Sequence, residues 1–217
     1  MGESHGTVPV GLIVQNKRLY HPPSPRAPPR GTAAMAEDPS NWRWFHSTIG
    51  TYGSWLPGDP RGFRARHHRE HVDGDYRQPP PAGYYDGLFT AAKNNMNHAA
   101  TTLSSEQRRV VGEALLSALV KFEAVVVTLA VAAQHAHLLA KMPPDAPRDW
   151  IGRAKINAWY RLRDAGTTIK LWAKRGRNER VYDREHQLRV HRYILRHAEV
   201  DAWVWQWGDA LPEGRSG

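Results

Sequence analysis

Gln134-His135-Ala136-His137-Leu138-Leu139 sets two imidazoles two positions apart inside an apolar run. In an extended strand alternate side chains share a face, so His135 and His137 project side by side with Cα atoms ~6.6–7 Å apart. Two neutral imidazoles at that spacing can converge on one divalent cation, given a further ligand from another element. A pair of hydrogen-bonded histidines has the same appearance, but two of them inside an apolar strand are costly without satisfied partners. The missing donor can come from the C-terminal third. Tyr193 and His197 lie four residues apart, on one face of a helix. His197 is thus a candidate third ligand, and Tyr193 would present its hydroxyl beside the metal. Arg189, Arg192 and Arg196 flank that face, and their guanidinium groups suit phosphate.

These residues must be positioned by a small fold. The chain has 217 residues, 41% hydrophobic and 24% charged, enough for one domain with a buried core. There is no cysteine, which excludes disulfides, zinc ribbons and thiol catalysis and leaves His and carboxylates as metal ligands. No apolar run reaches the ~18 residues of a membrane helix. The formal charge is +9. All of that excess falls between Trp150 and His197, where 13 Lys and Arg face 4 Asp and Glu, so a polyanion, nucleic acid first, is the expected partner.

Residues 1–38 read as a disordered tail: His21 to Arg30 holds five prolines in ten residues, and Met35 is the expected natural start of the chain. Trp42 to Trp55 suits a strand, closed by Pro57-Gly58-Asp59-Pro60. A long loop or insertion is expected over 57–102. It contains His67, His68 and His71, which with His46 form a rival histidine group. The four arginines between 61 and 69 would repel a metal there, so a DNA-contacting or solvated loop is the better reading. Ser104 and Gln107 form a capping box for a helix whose stripe includes Val111, Leu115 and Leu119. Strands are expected over Phe122 to Leu129 and Val131 to Met142, a helix over Pro147 to Ala165, and a short strand over Thr167 to Trp172. A last helix, capped by Asp183, should run to Ala198, with 199–217 as a C-terminal tail. The order β, α, β, β, α, β, α predicts an α+β fold, an antiparallel sheet with helices packed on one face.

The sequence resembles the single-tyrosine HUH transposases, the insertion-sequence and REP-associated tyrosine transposases, over roughly Trp42 to Ala198. In that family a His-hydrophobic-His motif lies on a central strand, and the catalytic tyrosine follows in a helical segment Tyr-Ile-x-x-Gln or Tyr-Ile-x-x-Asn. Here Tyr193-Ile194-Leu195-Arg196-His197 lies 56 positions after His137. His197 stands where the family has an amide, a change that favours Mn²⁺ over Mg²⁺. Gly53-Ser54-Trp55-Leu56-Pro57-Gly58-Asp59 also resembles a family turn, one with no evident chemistry.

The resemblance implies a ferredoxin-like HUH domain at 42–198. It further implies a transposase that cleaves and rejoins single-stranded DNA at hairpin-containing sites through a 5′-phosphotyrosine on Tyr193. A divalent metal, Mg²⁺ or Mn²⁺, would sit on His135, His137 and His197. Lys155, Arg175 and Arg177 are candidates for holding the DNA backbone, and Trp172 for stacking a base. Some relatives work as homodimers that share tyrosine helices. A cytoplasmic, nucleoid-associated location goes with this reading. Two alternatives stay open: a domesticated, non-catalytic hairpin-binding protein of the same fold, and a replication-initiator or relaxase-like nicking enzyme, for which Tyr182 is the nearby second tyrosine. The histidine-triad nucleotide hydrolases are excluded by Leu139, which occupies their third His position.

Overall fold

The computed structural model describes residues 41–61 and 81–211, apart from the side chain of Arg175. The expected tail before residue 39, Met35, and the His67, His68 and His71 group lie outside the described residues. Five strands, β1 (Arg43–Thr51), β2 (Val125–Val131), β3 (His135–Met142), β4 (Trp172–Val181) and β5 (Trp203–Gln206), form one sheet in the order β4-β1-β3-β2-β5. Every pairing between these strands is antiparallel. The helices are α1 (Asp86–Asn94), α2 (Ser105–Lys121), α3 (Pro147–Asp164) and α4 (Arg184–Leu195), with a 3-10 turn at Arg196–Val200. The run β1-α2-β2-β3-α3-β4 with strand order 4-1-3-2 is the ferredoxin-like α+β arrangement expected from the sequence.

The expected helix packing holds for α2 and α3, which cover one face. Phe45 and Ile49 of β1, Val126, Leu129 and Val131 of β2, and Ala136, Leu138, Ala140 and Met142 of β3 bury there against Val111, Leu115, Leu119, Ile151, Ala154, Ala158 and Leu162. The Asn157 amide donates to the Ala114 carbonyl at 2.8 Å, tying the two helices together. The last helix, α4, lies on the other face. Its Val190 and Ile194 pack on Ala130, Leu139 and Val181, the strand positions of opposite parity. Ala130, Leu139 and Val181 present a small apolar patch on this face, and α4 covers it. This puts α4 on the same face as the imidazoles of β3.

Local signals account for the element ends. The Ser104 hydroxyl accepts the Gln107 backbone N–H while the Gln107 side chain accepts that of Ser104, the capping box read from the sequence. Asp183 accepts the His186 N–H at 2.7 Å and opens α4. Three elements differ from expectation. The short strand expected over Thr167 to Trp172 instead begins at Trp172 and runs to Val181 as β4; an edge strand tolerates the charges of Lys174, Arg177, Glu179 and Arg180 that hide its pattern. The segment expected as a C-terminal tail contains β5, the other edge. Part of the expected long loop is α1, a short helix of nine residues with none of them buried.

The β5 edge depends on a close approach. Trp203 lies flat against Gly112 of α2, and a methyl group at that position would overlap the indole ring. Gly112→Ala should therefore cost about 1–3 kcal/mol, the usual cost of overpacking, despite alanine's better helix propensity. A fall in the urea midpoint with unchanged slope would show it. An unchanged or raised midpoint would mean that β5 is held loosely.

Candidate metal and nucleophile site

The two central strands carry the site. In the β1–β3 register Thr48 faces His137, His46 faces Leu139 and Gly50 faces His135. His46, Thr48, His135 and His137 thus share the face on which α4 lies, and the last turn of α4 supplies Tyr193 above them. His197 follows in the 3-10 turn rather than in α4 itself. The chain there is held by Arg108 of α2, which donates to the Asp201 backbone carbonyl and, at 2.6 Å, to the Asp201 carboxylate. Asp201 takes the left-handed conformation that ends the turn, with φ 60°.

The structure brings together all four residues singled out from the sequence as nucleophile and ligands. One nitrogen of each of His135, His137 and His197 lies within 4.8 Å of the others, an arrangement able to hold a metal ion. The Tyr193 hydroxyl stands 3.4 Å from His137 Nε2. Tyr193 is 48% exposed, so its phenol is open to a large substrate, whereas His137 is 5% exposed.

A hydrogen bond assigns the tautomer of one of the rings. His197 Nδ1 is 3.1 Å from the Tyr193 carbonyl, which can only accept, so Nδ1 carries the proton and Nε2 is left as a donor atom for a metal. His137 Nδ1 lies 3.1 Å from His46 Nε2 and 3.3 Å from Thr48 Oγ1. With the proton on Nδ1 donated to either partner, His137 Nε2 is free to ligate beside the tyrosine. A ligand imidazole held through its other nitrogen is the usual support of a metal site.

The three rings thus have the chemistry of a metal site: imidazole nitrogens that converge within 4.8 Å of one another. An all-imidazole set suits Mn²⁺ and later transition ions better than Mg²⁺, which prefers oxygen. Burial favours the neutral form of His46, His135 and His137. It lowers the proton affinity of His135, with His197 and Arg61 adding to the effect. Burial, followed by the neighbouring imidazoles, pushes His137 down to about 2. His46 is lowered chiefly by burial, against an opposing pull from Glu179.

A pH dependence follows. The unfolded chain takes up protons on these histidines near pH 6.5, while the folded chain takes them up only at lower pH, for His137 at about 2. Stability is therefore full above about pH 7 and falls as the pH drops through 6.5, by up to about 1.4 kcal/mol per pH unit for a fully buried ring. His137 alone should cost about 2 kcal/mol between pH 6.5 and 5. Urea midpoints measured in EDTA at pH 7.5 and 5.0 should differ accordingly, and His137→Gln should reduce the difference. Equal wild-type midpoints would contradict the burial of a neutral ring.

No protein-family description matches the chain, and no curated protein does. Among solved structures, a REP-associated tyrosine transposase bound to a REP hairpin aligns with TM-score 0.42 and 11% identity. The alignment covers 73% of this chain and 67% of that one.

The remaining expected residues divide. Arg177 faces Thr48 across the β1–β4 pairing, on the site's side of the sheet, and its guanidinium is 2.5 Å from Glu179. Lys155 lies elsewhere: its amine donates to the Ala173 carbonyl at 2.8 Å and is half-buried between α3 and β4. Trp172 is occupied in the same contact, donating to the Lys155 carbonyl at 2.8 Å. The side chain of Arg175 lies outside the described residues. Tyr182 is 75% exposed at the start of α4, about three turns from Tyr193. His46 is the residue whose place the sequence did not reveal: it lies against His137, and only the strand register shows this. No helix among the described residues is long and apolar enough to cross a membrane.

Proposed function

We propose that this chain is a metal-dependent single-stranded DNA endonuclease and transposase that cleaves and rejoins DNA at hairpin-containing sites through a 5′-phosphotyrosine on Tyr193. The observation that carries the reading is the half-exposed Tyr193 hydroxyl 3.4 Å from His137 Nε2, beside converging nitrogens of His135 and His197. A phenol next to a three-imidazole site has a purpose in nucleophilic attack at a phosphate, which the basic surface of the last third would attract.

Tyr193 Oη would form a bond to phosphorus as the bond to the 3′ oxygen breaks. The phenol proton leaves to solvent, to which Tyr193 is open, and the departing 3′ oxygen takes one up as a hydroxyl. One phosphodiester replaces another, so the 3′-hydroxyl can reverse the step without ATP. A divalent ion, Mn²⁺ or Mg²⁺, on His135, His137 and His197 would supply charge stabilisation at the scissile phosphate. His46 and Thr48 hold the His137 ring with Nε2 toward Tyr193, where it would ligate the ion, and Arg177 offers a cation on the same sheet face. The preference for hairpins, a cytoplasmic nucleoid-associated location and a homodimeric form are proposed from the motif resemblance.

Incubation with a pool of single-stranded hairpin oligonucleotides and Mn²⁺ or Mg²⁺, read on a denaturing gel, tests the reading. A protein–DNA adduct that EDTA prevents is expected. Tight hairpin binding with no adduct from any oligonucleotide would instead favour a non-catalytic hairpin-binding protein.

A further inference from the structure

The turn Gly53 to Asp59 builds something specific next to the histidines. Asp59 is 2% exposed, and its carboxylate accepts Arg61 Nε at 3.0 Å, Nη2 at 2.7 Å and the Arg61 backbone N–H at 2.9 Å. Arg61 Nη2 also donates to the Ser54 carbonyl at 2.7 Å, and its guanidinium stacks 4.5 Å from the centre of the Trp55 ring. A cation held in this way is preorganised rather than swinging in solvent. Its remaining nitrogen donates to the Gln134 side chain at 3.2 Å, and Gln134 directly precedes His135.

The two glycines of the turn seat α1. Gly58, with φ 82°, lies against the backbone of Phe89, and Gly53, with φ 74°, against Met96 and Ala100; neither place has room for a Cβ. Between the turn and α1 is a cavity of about 580 Å³. Phe89, Met96 and Leu56 give it apolar walls, Asn97 offers an exposed amide, and its charged lining is Lys93 and Arg61 with the Asp59 carboxylate that pairs Arg61, a net positive set. A flat apolar wall, an amide edge and two cations are the complement of a nucleotide: a base to stack, a base edge to hydrogen-bond and a phosphate to neutralise.

We propose that this cavity takes one unpaired nucleotide of the DNA strand adjoining the phosphate bound at the histidine site, with the base against Phe89, its edge read by Asn97, and its phosphate on Arg61 and Lys93. The inference rests on the DNA reading of the site above. It gives the Gly53–Asp59 turn a purpose, namely to fix Arg61 and the cavity wall at the end of the sheet where His135 lies.

Selection with the Tyr193→Phe protein, from a pool of DNA hairpins with randomised single-stranded tails, tests it. One tail position should show a base preference of at least about tenfold, the scale of base–aromatic stacking plus an amide contact. Asn97→Ala and Phe89→Ala should each lose that preference while still enriching the same hairpin; Asn97 is exposed and its replacement leaves the fold intact. If both variants keep the wild-type preference, or if no tail position is selected from enriched hairpins, the cavity does not hold a nucleotide. If the Tyr193→Phe protein enriches no hairpin at all, the DNA reading falls and takes this inference with it.

Discussion

Tyr193→Phe should leave hairpin affinity within about twofold of the wild type and remove strand cleavage, by about 10⁴-fold or more, the scale seen when a nucleophile is deleted from a preorganised site. The two effects separate because the phenyl ring keeps its packing: its centre is 5.1 Å from the His137 ring and 5.0 Å from the His197 ring. Only the hydroxyl 3.4 Å from His137 Nε2 is lost. Because Tyr193 is half exposed and its hydroxyl is not part of the core, folding stability should change by no more than about 0.5 kcal/mol. Cleavage rates from a denaturing gel and binding curves on the same oligonucleotide give both numbers. Cleavage within tenfold of wild type would remove Tyr193 from the chemistry.

The second large effect is expected at His137. It is the most buried of the three rings and touches every other member of the site: His46, Thr48, Tyr193 and the two remaining candidate ligands. His137→Ala should weaken Mn²⁺ binding by at least about 10²-fold, beyond the 10–100-fold typical of losing a supporting residue alone. Cleavage should fall by about 10²–10³-fold or more, the cost of losing one charge-stabilising group in a preorganised site. Titration calorimetry or the electron paramagnetic resonance signal of Mn²⁺ measures the first without any reaction. An unchanged Mn²⁺ affinity would mean that the imidazoles are only hydrogen-bonded partners.

Much of the site was legible because its spacing is local. His135 and His137 need only the two-residue repeat of a strand, and Tyr193 and His197 only the turn of a helix. That the two pairs meet required α4 to cross the sheet, which neither periodicity encodes; the motif resemblance supplied that expectation. His46 is different. Its role depends on the register that sets Thr48 opposite His137, and register is fixed by the whole sheet. The elements missed have different causes. The edge strand β4 carries Lys174, Arg177, Glu179 and Arg180, which hide its apolar period, α1 is a short helix of nine residues that buries no side chain, and β5 is only four residues long. The cap at Ser104 and Gln107, by contrast, is a short-range chemical arrangement and was readable residue by residue. Lys155 shows how a charge count misleads: its half-buried amine donates to the Ala173 carbonyl, though it counted toward the basic excess.

The most direct test is to digest the covalent protein–DNA adduct, formed with wild-type protein, hairpin oligonucleotide and Mn²⁺, and to locate the modified peptide by mass spectrometry. The expected result is a 5′-phosphodiester on Tyr193, in the peptide ending at Arg196. A nucleotide carried by Tyr182, or by any residue other than Tyr193, would contradict the assignment of Tyr193 as the nucleophile of this site.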